Sequence, residues 1–411
     1  MSGSFSYGRI FLLGLGFFGI SLVWSTYNSY VPVFLKEFGL ASATVGLIMT
    51  LDNVFAVTLQ PYIGFLSDKT RTRLGRRKPY ILAAAPAAAL FYALIPLSQS
   101  LPLMVAAIVA MNIAMAVHRT PTIALMPDIT PSEHLSKANG VINFMGGLGA
   151  LLAFFGGALL YDIDRALPFL LAATLLLASS LLIVALIEEP QAPPTGSGDR
   201  GALREMLATL RQVFSDPDPS TRGILLAIFA WFFAYGAIEA FFTSYGKWHL
   251  GIKESTASMI LGLFALTFIL FSIPSGFIAS RIGRKKAILA GLLGLTILLA
   301  IPPLTDDITL VAAAMLLGGL MWALVNVNSL PIVVDLAPPG AAGGYTGLYY
   351  LFEMAALILS PPLAGLLIDT LGYPSIFAWA TAWTAIAALL TATIKREKRG
   401  EPQVQPGQPT R

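Results

Sequence analysis

Twelve mostly apolar stretches run through this chain, and no other feature limits its fold so strongly. They lie over 9–35, 42–66, 79–98, 101–127, 138–161 and 167–187, then over 222–248, 255–280, 286–304, 307–335, 343–368 and 373–394. A bilayer core needs about 20 apolar residues per spanning helix, and only helices or closed barrels satisfy the backbone there. The pattern predicts an all-α integral membrane protein of twelve transmembrane helices. The first stretch carries the polar run Trp24-Ser25-Thr26-Tyr27-Asn28 and is too long for a cleaved signal peptide. Composition points the same way. Only 12% of the 411 residues are charged, against roughly 25% in soluble domains. That excludes a soluble enzyme and a disordered chain. A net charge of +4 is too small to suggest a nucleic-acid partner. With no cysteine and three scattered histidines, neither a metal site nor a cofactor is expected.

The basic residues orient the helices. With the N-terminus in the cytoplasm, 21 of the 26 Lys and Arg fall on the cytoplasmic side. Four fall outside (Lys36, Arg165, Lys247 and Lys253), and Arg119 stays within a helix. The positive-inside rule therefore expects both termini in the cytoplasm. The location expected is the cell's inner (plasma) membrane, with the bilayer as the surrounding partner. The chain divides into an N-terminal six-helix half (1–187), a cytoplasmic linker (188–221), a C-terminal half (222–394) and a tail read as disordered (395–411). Within the linker, 201–214 reads as a short amphipathic helix on the membrane surface.

The halves repeat one another. Gly64-Phe-Leu-Ser-Asp68 with Gly75-Arg76-Arg77-Lys78 parallels Gly276-Phe-Ile-Ala-Ser280 with Gly283-Arg284-Lys285-Lys286. A constant offset of 207 relates Asp128 to Asp335, Pro131 to Pro338, Gly140 to Gly347 and Asp162 to Asp369. Two parallel six-helix repeats are the architecture of major facilitator transporters, with the ligand site between the halves at mid-membrane.

The loop Gly64-x3-Asp68-x6-Gly75-Arg76-Arg77-Lys78 resembles the signature of the major facilitator superfamily between helices 2 and 3. Its longer form, from Gln60-Pro61 to Pro79-Tyr80, is similar to the plant sucrose transporters and the glycoside–pentoside–hexuronide:cation symporters, as is the stretch from Arg119 to Pro131. The resemblance implies cation-coupled uptake of a glycoside, most often with protons in the sucrose branch. Departures mark its limits. Gln60 and Ala56 stand where the melibiose-type members carry a sodium-binding aspartate pair. Asn112 and Ile123 stand where the plant transporters carry an aspartate and an arginine.

Few ionisable groups remain inside the apolar stretches: Asp52, Glu239 and Glu353, with Arg119 and His118. An intramembrane charge costs several kcal/mol and marks function by default. Asp52 and Glu239 are expected to carry the coupling proton. Helix rise puts Asp52 and Asn112 roughly 22 Å above the cytoplasmic helix ends and Arg119 roughly 11 Å, so a direct Asp52–Arg119 bridge is not the expected device. Asp52, Asn112, Arg119, Glu239 and Glu353 join the candidate substrate contacts. Tyr27, Asn28, Asn143, Trp322, Asn326 and Tyr350 complete the set with hydroxyls, amides and aromatic faces suited to a sugar. Such residues also serve as interfacial anchors and interhelix glue. Gly64, Asp68, Gly75, Arg76, Arg77, Asp128 and Arg284 are the candidate gate. Their ion pairs, with Glu133 nearby, are expected to break as the halves rock. Ser280 in place of a second aspartate should leave the second gate weaker.

Together these features suggest a monomeric proton symporter of a sugar or glycoside, of sucrose or maltose type, not an enzyme. Sodium is the less favoured ion. The alternatives are a facilitator of another solute (a drug, an organic anion or a lysolipid) and a non-transporting membrane sensor.

Overall fold

The protein, described as a computed structural model, is defined over residues 7–131, 134–189, 202–215, 219–338 and 341–395. Glu133, most of the linker ahead of its helix and the tail lie outside the described residues. The first half comprises α1 (Tyr7–Glu37), α2 (Ser42–Met49) with α3 (Leu51–Lys69), α4 (Lys78–Leu94), α5 (Leu101–Ile129), α6 (Leu135–Leu151) with α7 (Gly157–Ile163), and α8 (Leu167–Leu186). The second comprises α10 (Ser220–Trp248), α11 (Glu254–Ile282), α12 (Arg284–Leu299), α13 (Ile308–Leu336), α14 (Ala342–Leu371) and α15 (Ser375–Ala392). Between them stands α9 (Ala202–Ser215).

Eleven of these spans are long and apolar enough to cross a bilayer among the described residues, and α4 is a shorter apolar twelfth. It ends at Leu94, where Pro96 follows within a turn, because proline cannot donate to the helix ladder. Two spans expected as continuous helices depart from a regular α-helix. In the second, α2 and α3 meet at Thr50, where the backbone bonds Thr50 N to Gly46 O (3.1 Å) and Val54 N to Thr50 O (3.0 Å) persist, and Thr50 Oγ1 also donates to the Ile358 carbonyl of α14 at 2.9 Å. The fifth carries a π-helical turn, Leu152–Gly156, between α6 and α7. Such insertions loosen the ladder locally.

Large apolar side chains such as Leu270, Ile273, Phe277 and Leu389 remain exposed, as a lipid-facing surface requires. Inside, one extensive core joins α1, α10 and their neighbours around Tyr27, Tyr30, Phe34, Trp231 and Phe241. A smaller cluster, including Ile10, Ile81, Leu125 and Ile183, closes the chain-end face of the first half. The amphipathic α9 does not rest on a bilayer surface alone. Val213 is buried and Phe214 stacks on Phe352 of α14, ring centroids 6.4 Å apart.

Candidate functional site

The first helices of the two halves meet at mid-span. Asn28 Nδ2 of α1 donates to Glu239 Oε1 of α10 at 3.1 Å, and Tyr235 Oη donates to the same oxygen at 3.3 Å. Asn28 and Glu239 are 211 residues apart. The same offset relates Trp24 to Tyr235 and Lys36 to Lys247, so equivalent positions of the two repeats face each other. Both bonds fall on Oε1, and no side-chain donor reaches Oε2 among the described residues. Gly236 lets α14 approach here, since a Cβ would lie 3.1 Å from Ser360 Cβ.

Glu239 and Asn28 form the polar end of a cavity of about 240 Å³ between the halves. Tyr235 and Trp322 of α13 stack in its wall with centroids 4.9 Å apart and planes 7° from parallel. Trp24 also lines it, edge-on to the fully buried Tyr27. Two wall residues, Trp24 and Trp231, carry buried indole N–H groups without a partner. Such donors are costly to leave unmet.

Of the expected substrate contacts, Asn28, Glu239 and Trp322 line this cavity; Tyr27, Asp52, Asn112, Arg119, Asn143, Asn326, Tyr350 and Glu353 are not among its wall residues. Tyr27 Oη and Asn112 Oδ1 are buried neighbours, while Asn112 Nδ2 donates to its own helix at Ile108 O. Asn143 and Tyr350 are exposed, and Asn326 is half-buried on α13. Asp52 sits in the first turn of α3, two residues past Thr50, and accepts from Asn53 N at 2.6 Å. Arg119 of α5 makes no ion pair within 4.0 Å among the described residues, yet it lies in the fields of both Asp52 and Glu353. One Glu353 oxygen is buried and unpaired. The membrane interior thus holds three carboxyls against one guanidinium, with Glu239 the one farthest from compensation. His118 is absorbed in packing, bonded to Ser180 of α8 at 2.7 Å.

The loop motif assembles at the chain-end face. Arg76 pairs with Asp128 at 2.5 Å; Arg77 pairs with Asp128 at 3.0 Å and with Asp68, and donates to Ser67 Oγ at 2.5 Å. Gly75 adopts φ +108°, and a side chain there would collide with Glu189. Glu189 caps α4, accepting from the backbone N–H of Arg76 at 3.0 Å and of Arg77 at 2.9 Å, where the helix dipole favours an anion. Gly64 is less constrained, since a Cβ there would lie 3.5 Å from Thr120 Cγ2. In the second half Arg284 pairs, among the described residues, with Asp335 alone, and Ser280 donates to its own helix at Phe277 O. Among the described residues, no pair in these two clusters joins the first half to the second; the Arg76–Glu189 pair at 3.7 Å ties the first half to the start of the linker.

The pairs that join the halves lie on the opposite face. Lys247 of α10 pairs with Glu37 of α1 at 2.6 Å. Asp369, ending α14, accepts from Ser42 N at 2.8 Å and Ala43 N at 3.0 Å at the start of α2, with Lys36 3.6 Å away. Its repeat counterpart Asp162, ending α7, accepts from Ser255 Oγ at 2.8 Å at the start of α11, with Lys253 at 3.9 Å. Two repeat-related carboxylates therefore bridge the halves on this face, Asp369 through backbone N–H groups and Asp162 through a hydroxyl. Gly46 and Gly365 permit the contact, because a side chain on either would strike backbone of the opposing helix. The sequence reading missed Tyr235, Glu189, Glu37, Lys247, Gly46 and Gly365. It had Asp162 and Asp369 only as landmarks of the repeat.

This is a two-repeat helical fold of the membrane-transport class, with a ligand cavity between the halves and one face closed. The chain belongs to the Major Facilitator Superfamily, which it matches over residues 13–249 and 247–410. It is 26% identical over 263 residues to the general alpha-glucoside permease of Schizosaccharomyces pombe, covering 57% of this chain and 47% of that one. It is 24% identical over 215 residues to proton-associated sugar transporter A of Homo sapiens, covering 46% and 29%. The chain spans less than half the length of these curated relatives in the matched regions. The nucleoside transporter NupG shares the fold, with a TM-score of 0.74, 15% identity and coverage of 95% and 100%. The family and these relatives are transporters, not enzymes.

Proposed function

We propose that this protein is a secondary transporter that moves a sugar or glycoside together with a proton across the plasma membrane, as a monomer, by alternating access. The observation that carries the reading is Glu239. It stands where the two repeats meet, takes two neutral donors on one oxygen, and faces a cavity walled by stacked aromatics. A carboxylate with no cation beside it is costly in the membrane interior, so it is stabilised by taking a proton. Protonated, it adds no charge of its own to the space the halves enclose as they close around the ligand. That makes proton and substrate occupancy interdependent, which is what coupling requires.

The aromatic platforms suit the apolar face of a sugar ring, and the carboxyl, the carboxamide and the indole N–H groups suit its hydroxyls. The names of the permease and the proton-associated sugar transporter favour the same substrate class and the same ion. Asp52 and Arg119 balance charge around this centre, and Glu353 shares the field of Arg119. Gly64, Asp68, Gly75, Arg76, Arg77, Asp128 and Arg284 act as braces that keep each half rigid, while the Asp162 and Asp369 bridges are the contacts that break when the closed face opens. The 21 basic residues of the segments expected in the cytoplasm from sequence favour the cytoplasm for the chain-end side. The present state then faces inward.

Proteoliposomes with an imposed inward proton gradient test the reading against a panel of labelled sugars and glycosides. At least one should accumulate above equilibrium and collapse with a protonophore. Accumulation driven only by sodium, or of non-sugar solutes only, overturns it.

A further inference from the structure

Two spans carry a fault in their hydrogen-bond ladder, and the faults fall at equivalent places in the two repeats. The fifth span has the π-helical turn Leu152–Gly156. The repeat offset of 207 maps this turn onto Leu359–Leu363 of the eleventh span, α14, which contains Pro361-Pro362. Proline has no N–H to donate, so the carbonyls of Leu357 and Ile358 lose their ladder partners. Thr50 Oγ1 of the opposite half supplies one replacement, donating to Ile358 O at 2.9 Å. A helix of the opposite half crosses each fault at a glycine. A Cβ on Gly46 of α2 would strike the peptide joining Pro361 to Pro362. One on Gly262 of α11 would lie 2.8 Å from Phe154 Cβ and 3.0 Å from the Phe155 ring.

The two sides of each fault are held differently. Before it, the helix is fastened to its own half. Ser360 Oγ donates to Phe233 O of α10 at 2.6 Å, and Gly149 of α6 lies so close to the Phe18 carbonyl of α1 that no side chain fits. Beyond it, the tip binds the other half, Asp369 at Ser42 and Ala43 and Asp162 at Ser255. The flanks of these short segments are exposed, at Leu366 and Leu371 on one and Leu159 and Ile163 on the other. Segment 157–163 keeps an aromatic tie to its own half, Tyr161 stacked on Tyr30 with centroids 4.2 Å apart. Sharp bends in helices occur almost only at proline or at a π-turn.

We infer that the ends of the fifth and eleventh spans, 157–163 and 363–371, are flaps hinged at these faults, and that opening of the closed face swings each flap relative to its own half. The inference concerns how that face opens, so it goes beyond the transport reading and holds for any solute. Rocking of two rigid halves alone would leave every distance within a half unchanged. The segment 363–371 is about 13 Å long, and a bend of about 20° moves its tip by about 5 Å.

Double electron–electron resonance on the full-length protein in lipid nanodiscs tests this, with labels at exposed positions of a chain without native cysteine. Leu97→Cys with Leu304→Cys reports the separation of the halves. Leu304→Cys with Leu371→Cys, and Leu97→Cys with Ile163→Cys, report the flaps within each half. Asp162→Asn combined with Asp369→Asn releases the tips. The Leu97–Leu304 distance should then lengthen, and the Leu304–Leu371 distance should gain a second population shifted by about 5 Å. The Leu97–Ile163 distance should shift less, because Tyr161 restrains that flap. Adding Pro361→Ala and Pro362→Ala, which restores the ladder donors, should return Leu304–Leu371 to a single distance while Leu97–Ile163 keeps two. Pro362→Ala alone, which restores the donor to Ile358 O, serves if the double proline variant fails to fold. Single, unchanged distances for both within-half pairs, whether or not the halves separate, overturn the flaps. A second Leu304–Leu371 population that persists without the prolines overturns the hinge.

Discussion

Gly75 and Gly64 belong to one loop motif but answer to different constraints. Gly75 holds φ +108° against the Glu189 carboxylate, whereas a Cβ at Gly64 meets only an ordinary contact. Gly75→Ala should therefore lower stability by about 1–3 kcal/mol, read as a lower melting temperature of the purified protein, while Gly64→Ala melts like the parent. Equal melting of the two variants would contradict the strained turn. The acids of the membrane interior were legible in sequence, because a carboxyl amid apolar residues stands out whatever the fold. Tyr235 was not, as one of 13 tyrosines with nothing in its local pattern to mark it. Only the packing of α10 against α1 and α13 turns its hydroxyl to Glu239 and its ring to Trp322. Glu189 was hidden differently: it reads as the second of two glutamates opening a linker, and its role as the cap of α4 depends on a contact 113 residues away.

Between elements, the bridging carboxylates make a quantitative claim. Each carboxylate of Asp369 and Asp162 binds the start of a helix in the opposite half, and charge-assisted bonds of this kind contribute about 1.5–3 kcal/mol. Asp369→Asn should move the conformational equilibrium about tenfold or more towards opening of this face. The chain has no cysteine, so spin labels at Ala41→Cys and Leu371→Cys report the separation directly by double electron–electron resonance. A longer distance population should grow in Asp369→Asn and dominate in Gly46→Val, whose side chain strikes the α14 backbone at Pro361. Unchanged distances in both would remove the bridges from the gating account. The pairing of Asp162 with Asp369 was visible as a fixed offset, yet an offset names equivalent residues and not their partners. The contact of Thr50 with α14 was not visible at all, because the bond from its hydroxyl to the Ile358 carbonyl is made only in the folded protein.

For the whole molecule, twelve spans and a two-fold repeat were legible because lipid imposes length and polarity on every helix. The conformational state was not legible, since one sequence serves every state of the cycle. Orientation is open to measurement: Thr72→Cys, in the basic loop, should resist an impermeant thiol reagent in intact cells, and Phe38→Cys should react. The reverse pattern would invert the topology. The central claim is that Glu239 ties proton movement to substrate movement, and sugar-induced proton flux into proteoliposomes tests it most directly. Adding a transported sugar should alkalinise the outer medium for the parent protein. Glu239→Gln should show no such flux while still exchanging labelled for unlabelled sugar at equilibrium. Proton entry with sugar at the parent's rate in Glu239→Gln would contradict the claim.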